Sequence, residues 1–188
     1  MGDLAIAVRS ARTEDAQSVA RVYIESWHDT YPAILPTELL RAMSRKGQTS
    51  RWRSAIVSGN RERVLVAECP KGGVVGMTSF GAAQDRAIGY DGEVYTLYVA
   101  PDYFGQGIGS ALLRAAFAAL HASHFTSCVI WAHAHNPARF FYEAMGGRLV
   151  AERTRPMMRS MVPEAAFGWR GLTLGEGSVA ARRKAIRP

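Results

Sequence analysis

The segment Gly105-Gln106-Gly107-Ile108-Gly109-Ser110 is the sharpest chemical signal in this chain of 188 residues. It follows an alternating run from Glu93 to Val99 that Pro101 closes, and it precedes an apolar-striped run from Ser110 to His121. Glycines let a backbone approach a ligand closely, successive N–H groups converge there, and a helix N-terminus adds partial positive charge. That combination suits a pyrophosphate. Two familiar schemes fail on the residues. A Walker loop needs Gly-Lys-Ser/Thr, which is absent. A dinucleotide fingerprint needs a third glycine where Ser110 stands, and an acid about 20 residues on for a ribose. No Asp or Glu occurs between Tyr103 and Tyr142. The bland alternative is a tight strand-to-helix turn without a ligand.

A second group of reactive types lies downstream. By alternation Trp131, His133 and His135 share one strand face. The two histidines could form a metal pair, but no third ligand has suitable spacing, so hydrogen-bonded structural histidines and no metal are expected. Cys69 and Cys128 have no metal-site spacing either and fit a reduced intracellular compartment. The N-terminus has no basic region followed by an apolar core, so no signal peptide is expected. The stretch free of formal charge from Ala115 to Ala138 carries four histidines, an asparagine and a proline, which excludes a membrane helix. A cytoplasmic protein with no membrane partner is the expectation.

The formal net charge is +7. Arg182, Arg183, Lys184 and Arg187 put four of those charges in the tail, and a second basic run spans Arg41, Arg45, Lys46, Arg51, Arg53, Arg61 and Arg63. Such runs suit an anionic partner or are simply solvated faces. They lack the interleaved aromatics of a stacking platform, which argues against nucleic acid.

The elements that must position these residues follow from periodicity. Ala5–Val8 reads as a short strand. Thr13 opens a helical pattern with Ala16, Val19, Ala20, Tyr23, Ile24 and Trp27 on one face. Further helices are expected over about Thr37–Met43 and Thr49–Val57. Strands follow at Val64–Glu68, Val74–Phe80 and Glu93–Val99. A helix over Ser110–His121, a strand over Ser127–His133 and a helix from Pro137 to Met145 come next. Arg148–Arg153 and Ala165–Trp169 close the order as strands, with Thr154–Pro163 as a loop. The step from the fourth strand through a helix to the fifth is a right-handed βαβ crossover. This is an α+β fold: a mixed, mostly antiparallel sheet of about seven strands with helices on both faces. Residues 1–175 read as one domain and 176–188 as a basic, flexible tail.

The glycine loop, preceded by Phe104, and the downstream segment Asn136, Phe141-Tyr142 and Gly146-Gly147 together resemble the GNAT superfamily of N-acetyltransferases. The likeness extends to Arg9-Ser10-Ala11, Asp15-Ala16, Val19-Ala20 and Ser26-Trp27, and to Glu164–Trp169, covering roughly residues 5–171. Phe104 departs from the usual Gln or Arg of that family and loses one polar contact near the phosphates. Gly147 stands where many members have Phe.

The resemblance implies acetyl-CoA as co-substrate and direct transfer to an amine, with the sheet splayed between strands 4 and 5. It implies backbone contacts to the pantetheine from Leu97 and Val99. The pyrophosphate would meet the loop of Phe104, Gly105, Gln106, Gly107, Ile108, Gly109 and Ser110, and Asn136 would touch the pantetheine arm. Tyr142 matches the family's tyrosine acid, which protonates the departing thiolate. An amine is protonated at neutral pH, so a base is needed. Glu93 is the candidate, directly or through water, with His133 as a rival. The bland readings are a core tyrosine and a surface carboxylate. Trp27, Tyr31 and Trp52 could line the acceptor side, although core packing suits them better, and Met157, Met158 and Met161 suit an adaptable wall, a dimer contact or packing. The basic 41–63 region could serve the 3′-phosphate of coenzyme A. A small-molecule acceptor is preferred over a protein, because no targeting module accompanies the domain. A homodimer is a family-level expectation. The competing reading is a catalytically inactive acyl-CoA sensor.

Overall fold

Alternating apolar residues build the seven strands, and the two faces of the sheet collect different helices. The computed structural model describes residues 6–30, 43–59, 61–70, 73–157 and 160–172. The strands are β1 (Ala7–Ser10), β2 (Arg63–Cys69), β3 (Gly73–Ala82), β4 (Gly92–Val99), β5 (Ser127–His133), β6 (Arg148–Met157) and β7 (Ser160–Arg170). The helices are α1 (Ala16–Thr30), α2 (Arg45–Ser58), α3 (Ile108–His121) and α4 (Ala138–Ala144). The sheet order is β1-β2-β3-β4-β5-β7-β6, and β4–β5 is a parallel pair among otherwise antiparallel neighbours.

One face is covered by α1 and α2. Val19, Ala20 and Val22 of α1 and Trp52 of α2 pack there with Val64, Val66 and Met77. The opposite face is covered by α3, where Leu113, Ala116 and Leu120 meet Val94, Cys128, Ile130 and Phe167. The period-2 alternation of β5 therefore sends Cys128 and Ile130 towards α3, and Val129, Trp131 and His133 to the other face. Burying each of these larger aliphatic side chains contributes roughly 1.5–3 kcal/mol.

Two features of β4 open the sheet. Its ladder with β5 is short: Gly92 pairs with Cys128, Glu93 with Val129 and Val94 with Ile130. Beyond Val94 the register with β3 skips Tyr95, since Ser79 faces Thr96 while Phe80 faces Val94. Such a bulge bends a strand and increases its twist, and here it carries residues 95–99 away from β5. The closed end of the pair is clamped by Asp91, whose carboxylate accepts hydrogen bonds from the N–H and hydroxyl of both Thr126 and Ser127. Burial disfavours its charge, but these bonds prevail and hold the carboxyl well below the usual range.

Several boundaries differ from the sequence expectation. α2 begins at Arg45, because the Ser44 side chain accepts the Gly47 N–H and caps it four residues earlier than the apolar pattern indicates. α3 begins at Ile108 instead of Ser110, with Gly107 as its cap. Residues 154–157 and 160–163, expected as a loop, are instead the tip-side ladder of a long hairpin, in which Arg153 pairs with Glu164, Thr154 with Pro163 and Pro156 with Met161. Two prolines and the lack of a period-2 alternation hid it. β6 is an edge strand, however, where Pro156 costs no ladder bond on its outer side. Met161 is exposed on this hairpin. The expected helix over Thr37–Met43 (apart from Met43 itself), Tyr31, Met158 and the tail from 176 lie outside the described residues.

Candidate active site

A cleft of about 740 Å³ opens where β4 and β5 part. Its walls are residues 95–99 of β4, Ile130–Ala132 of β5, the α3 N-terminus with the loop before it, and Asn136–Ala138 with Phe141 and Tyr142. The C-terminal end of α1 closes one side through Ser26, Asp29 and Thr30. The Ser26 hydroxyl donates to the Val99 carbonyl at 3.0 Å, which fixes that helix to the splayed strand. Leu97 and Val99 both line the cleft, on the edge of β4 that has lost its β5 partner.

The loop is shaped by left-handed backbone. Gly105 and Gly107 have φ of 74° and 76°, and a Cβ at either would meet nothing within 4 Å. Conformation, and not crowding, selects glycine there. Gly107 caps α3, whose first-turn N–H groups have no intrahelical acceptor and stand at the positive end of the helix dipole. Phe104, Gly105, Gly107, Ile108, Gly109 and Ser110 all line the cleft. Gln106 does not, because its side-chain amide turns back to donate to the Asp102 carbonyl at 3.3 Å. The expected contact of Gln106 is thus at most a backbone one. Phe104 is about half exposed at the mouth, 53%.

Asn136 and Tyr142 are both buried and both line the cleft. The Asn136 side-chain oxygen accepts the Ala138 N–H at 2.9 Å and starts α4. That short helix delivers Tyr142, whose ring packs against Phe167 with centroids 5.6 Å apart and meets Trp169 edge-on at 6.4 Å. The tyrosine is therefore both a packed residue and a wall of the cleft.

Glu93 lies beside the cleft without lining it. It is buried, 7% exposed, on the sheet face opposite Val94, and the Gln84 N–H donates to its Oε2 at 2.8 Å. Desolvation raises its pKa; the Gln84 N–H and the fields of Arg153 and Arg155 oppose the shift, while Asp85 adds to it. Tyr95, two residues on, lines the cleft, and burial pushes its phenol up to about 12. His133 does not line the cleft; its Nδ1 accepts the His135 N–H at 3.1 Å, and burial and His135 lower its pKa. No group of three potential metal ligands occurs among the described residues.

Trp52 is fully buried and Trp27 donates to the Tyr98 hydroxyl at 2.9 Å, with Tyr23 meeting Trp52 and Tyr98 edge-on and Trp27 at a tilt. Trp52 is a core residue and Trp27 a half-buried one on α1, and neither lines the cleft. The residues that do line it on this side, Tyr95, Tyr98 and Trp131, were not singled out as site residues by sequence reasoning. The bulge that turns Tyr95 has no sequence signature.

The comparisons with known proteins fit this geometry. The family description "Acetyltransferase (GNAT) domain" matches residues 60–146. YuaI of Bacillus subtilis (strain 168), described as an uncharacterized N-acetyltransferase, is 34% identical over 168 residues, 89% of this chain and 95% of its own length. Among solved structures, the PaiA N-acetyltransferase of Thermoplasma acidophilum in complex with coenzyme A superposes with a TM-score of 0.67 at 20% identity, covering 88% of this chain and 99% of its own. The putative acetyltransferase yncA of Salmonella typhimurium, solved with its cofactor acetyl-CoA, gives a TM-score of 0.65 at 20% identity, covering 93% and 96%.

Proposed function

Because the chain belongs to the GNAT family of N-acetyltransferases, we propose that it moves an acetyl group from acetyl-CoA directly to the primary amine of a small molecule. The observation that carries this reading is the coincidence of an unpaired β4 edge, a left-handed glycine loop and an α3 N-terminus around one cleft. The loop amides and the dipole of α3 suit a pyrophosphate, and the free backbone edge at Leu97 and Val99 suits an amide-bearing arm. Acetyl-CoA, when bound, supplies the thioester carbonyl and the thiol leaving group.

The chain's own residues then divide the proton work. Tyr142, in the cleft wall, donates a proton to the departing sulfur. Glu93 receives the proton of the acceptor ammonium through water, since its carboxylate stands behind the wall instead of in it. Burial raises its pKa towards neutrality, which suits a general base. Asn136 orders the turn that presents Tyr142 to the cleft. The cleft volume of about 740 Å³ lies in the range typical of small-molecule sites and suits acetyl-CoA itself.

A panel of alkylamines, amino acids, amino sugars and short peptides, followed by thiol release from acetyl-CoA, tests the reading. Turnover with a small amine at least tenfold above peptides is expected. Turnover with peptides alone would move the acceptor class. Acetyl-CoA binding without turnover of any amine would make the chain an acyl-CoA sensor.

A further inference from the structure

Outside the cleft, a polar cluster that joins three elements of the fold centres on Arg153. It comes from β6, the strand farthest in sheet order from β1, and contacts three other elements. Its Nε donates to Glu164 Oε2 of β7 at 2.8 Å. Its Nη1 lies 3.7 Å from Asp85 Oδ2, in the connection between β3 and β4. Its guanidinium stacks 3.6 Å from the ring centroid of Trp131 on β5. Trp131 is a wall of the cleft. Asp85 directly follows Gln84, whose N–H holds the Glu93 carboxylate.

We propose that Arg153 is a positioning residue for the acceptor half of the site: it ties the β3–β4 connection to the sheet, so that the Gln84 N–H stays on Glu93 and Trp131 stays in the cleft wall. The proposal rests on Glu93 being the base. A planar guanidinium suits the task, because one group can pair with carboxylates in its plane and stack on an indole with its face. Ion pairs at this partial exposure contribute little to stability on their own, so Arg153 acts chiefly on geometry and local field.

The groups that face Glu93 are few. Arg153 and Arg155 of β6 favour its charge, and Asp85 of the β3–β4 connection opposes it. Tyr95 and Cys128 are its titratable neighbours on β4 and β5; burial pushes both up, so they are neutral over the useful pH range. Glu164 and His133 share its sheet face farther along, paired with each other across the β5–β7 ladder. Loss of Arg153 removes a cation, leaves Asp85 without its partner and frees the connection. All three changes move Glu93 towards protonation, including the weakening of the Gln84 bond.

The test compares the parent with Arg153→Met, Arg153→Lys and Glu93→Gln as full-length chains. Carboxyl carbon NMR titration reads Glu93, assigned by the signal missing in E93Q, and amide exchange reads Gln84. In R153M, Glu93 is expected to titrate at higher pH and the Gln84 amide to exchange at least tenfold faster. The acid limb of kcat/KM, measured with the amine turned over fastest in the panel, moves the same way. R153K, which keeps the charge without the planar fork, falls between. Should Glu93 titrate in R153M as in the parent, Arg153 has no positioning role, even if kcat falls. If E93Q retains full activity, the base assignment fails and takes this proposal with it; loss of activity in E93Q with an unmoved acid limb in R153M overturns the positioning role alone. Should R153M not fold, R153K carries the same comparison.

Discussion

The two halves of the cleft are built from different materials. The half formed by the glycine loop, α3 and the free edge of β4 presents mainly backbone. Its shape depends on two left-handed glycines and on the end of a pairing ladder. The opposite side presents side chains: Trp131 stands in the wall, with Glu93 and Arg153 behind it, drawn from β4, β5 and β6 and held by Asp85, Gln84 and Glu164. Backbone recognition tolerates substitution of most side chains around it and serves a constant ligand. Side-chain recognition changes with single substitutions, and under the proposed function it is the side that chooses the acceptor.

The largest effect that would break this contrast concerns Tyr142, a side chain standing in the cofactor half. Tyr142→Phe removes the proton donor without altering the wall. Its kcat is expected to fall by roughly 10²- to 10⁴-fold, with acetyl-CoA affinity within about twofold of the parent by calorimetry. An unchanged kcat would remove the acid assignment.

Glu93→Gln comes next, with an expected loss of about 10²-fold in kcat/KM. It has a second signature in stability. The folded pKa of Glu93 is raised, so the native state binds more protons than the unfolded chain over the window above its ordinary value of 4.5. Stability then falls as pH rises through that window, and the loss persists above the folded pKa. E93Q carries no such penalty. Its melting temperature relative to the parent should climb as pH rises from about 4 and then level off. A difference that does not depend on pH would contradict the burial cost.

Gly107→Val addresses the backbone half. A β-branched residue at φ of 76° costs about 1–2 kcal/mol, and relaxing that strain tilts the loop amides. Acetyl-CoA affinity should drop about tenfold, the equivalent of 1.4 kcal/mol, while the Glu93 titration stays in place. The smallest effect sharpens the contrast most: Gln106→Ala should change acetyl-CoA affinity by less than about twofold, since that side chain reaches Asp102 and not the cleft. A tenfold loss in Q106A would show that the loop reads its ligand with side chains after all.

The same division explains what the amino-acid sequence reveals. The loop was legible because Gly105, Gly107 and Gly109 sit between a strand and a helix, where local conformation alone dictates residue type. Asn136 and Tyr142 were named through the family resemblance alone, which their closeness in the chain, on one turn and one short helix, made visible. The succession of strands through β5 and the parallel step from β4 to β5 followed from periodicity and the crossover. The acceptor half could not be read in the same way. Glu93 was named from its place at the start of β4, but its distance behind the wall depends on a bulge at Tyr95 set by pairing with β3. Arg153, Asp85 and Glu164 meet only because a hairpin that looked like a loop is a ladder through Met157 and Ser160. Trp27 and Trp52 show the converse, since Trp52 went to the core under α2 and Trp27 is half-buried against Tyr98, neither in the cleft wall.

Calorimetric titration of the parent chain with acetyl-CoA, with desulfo-CoA and NAD as parallel ligands, tests the central claim most directly. Recognition by loop amides and a free strand edge predicts one-to-one binding of acetyl-CoA and desulfo-CoA at about micromolar affinity, roughly −8 kcal/mol, and no measurable binding of NAD. Absence of acetyl-CoA binding, or equal binding of NAD, would contradict the assignment of the cleft.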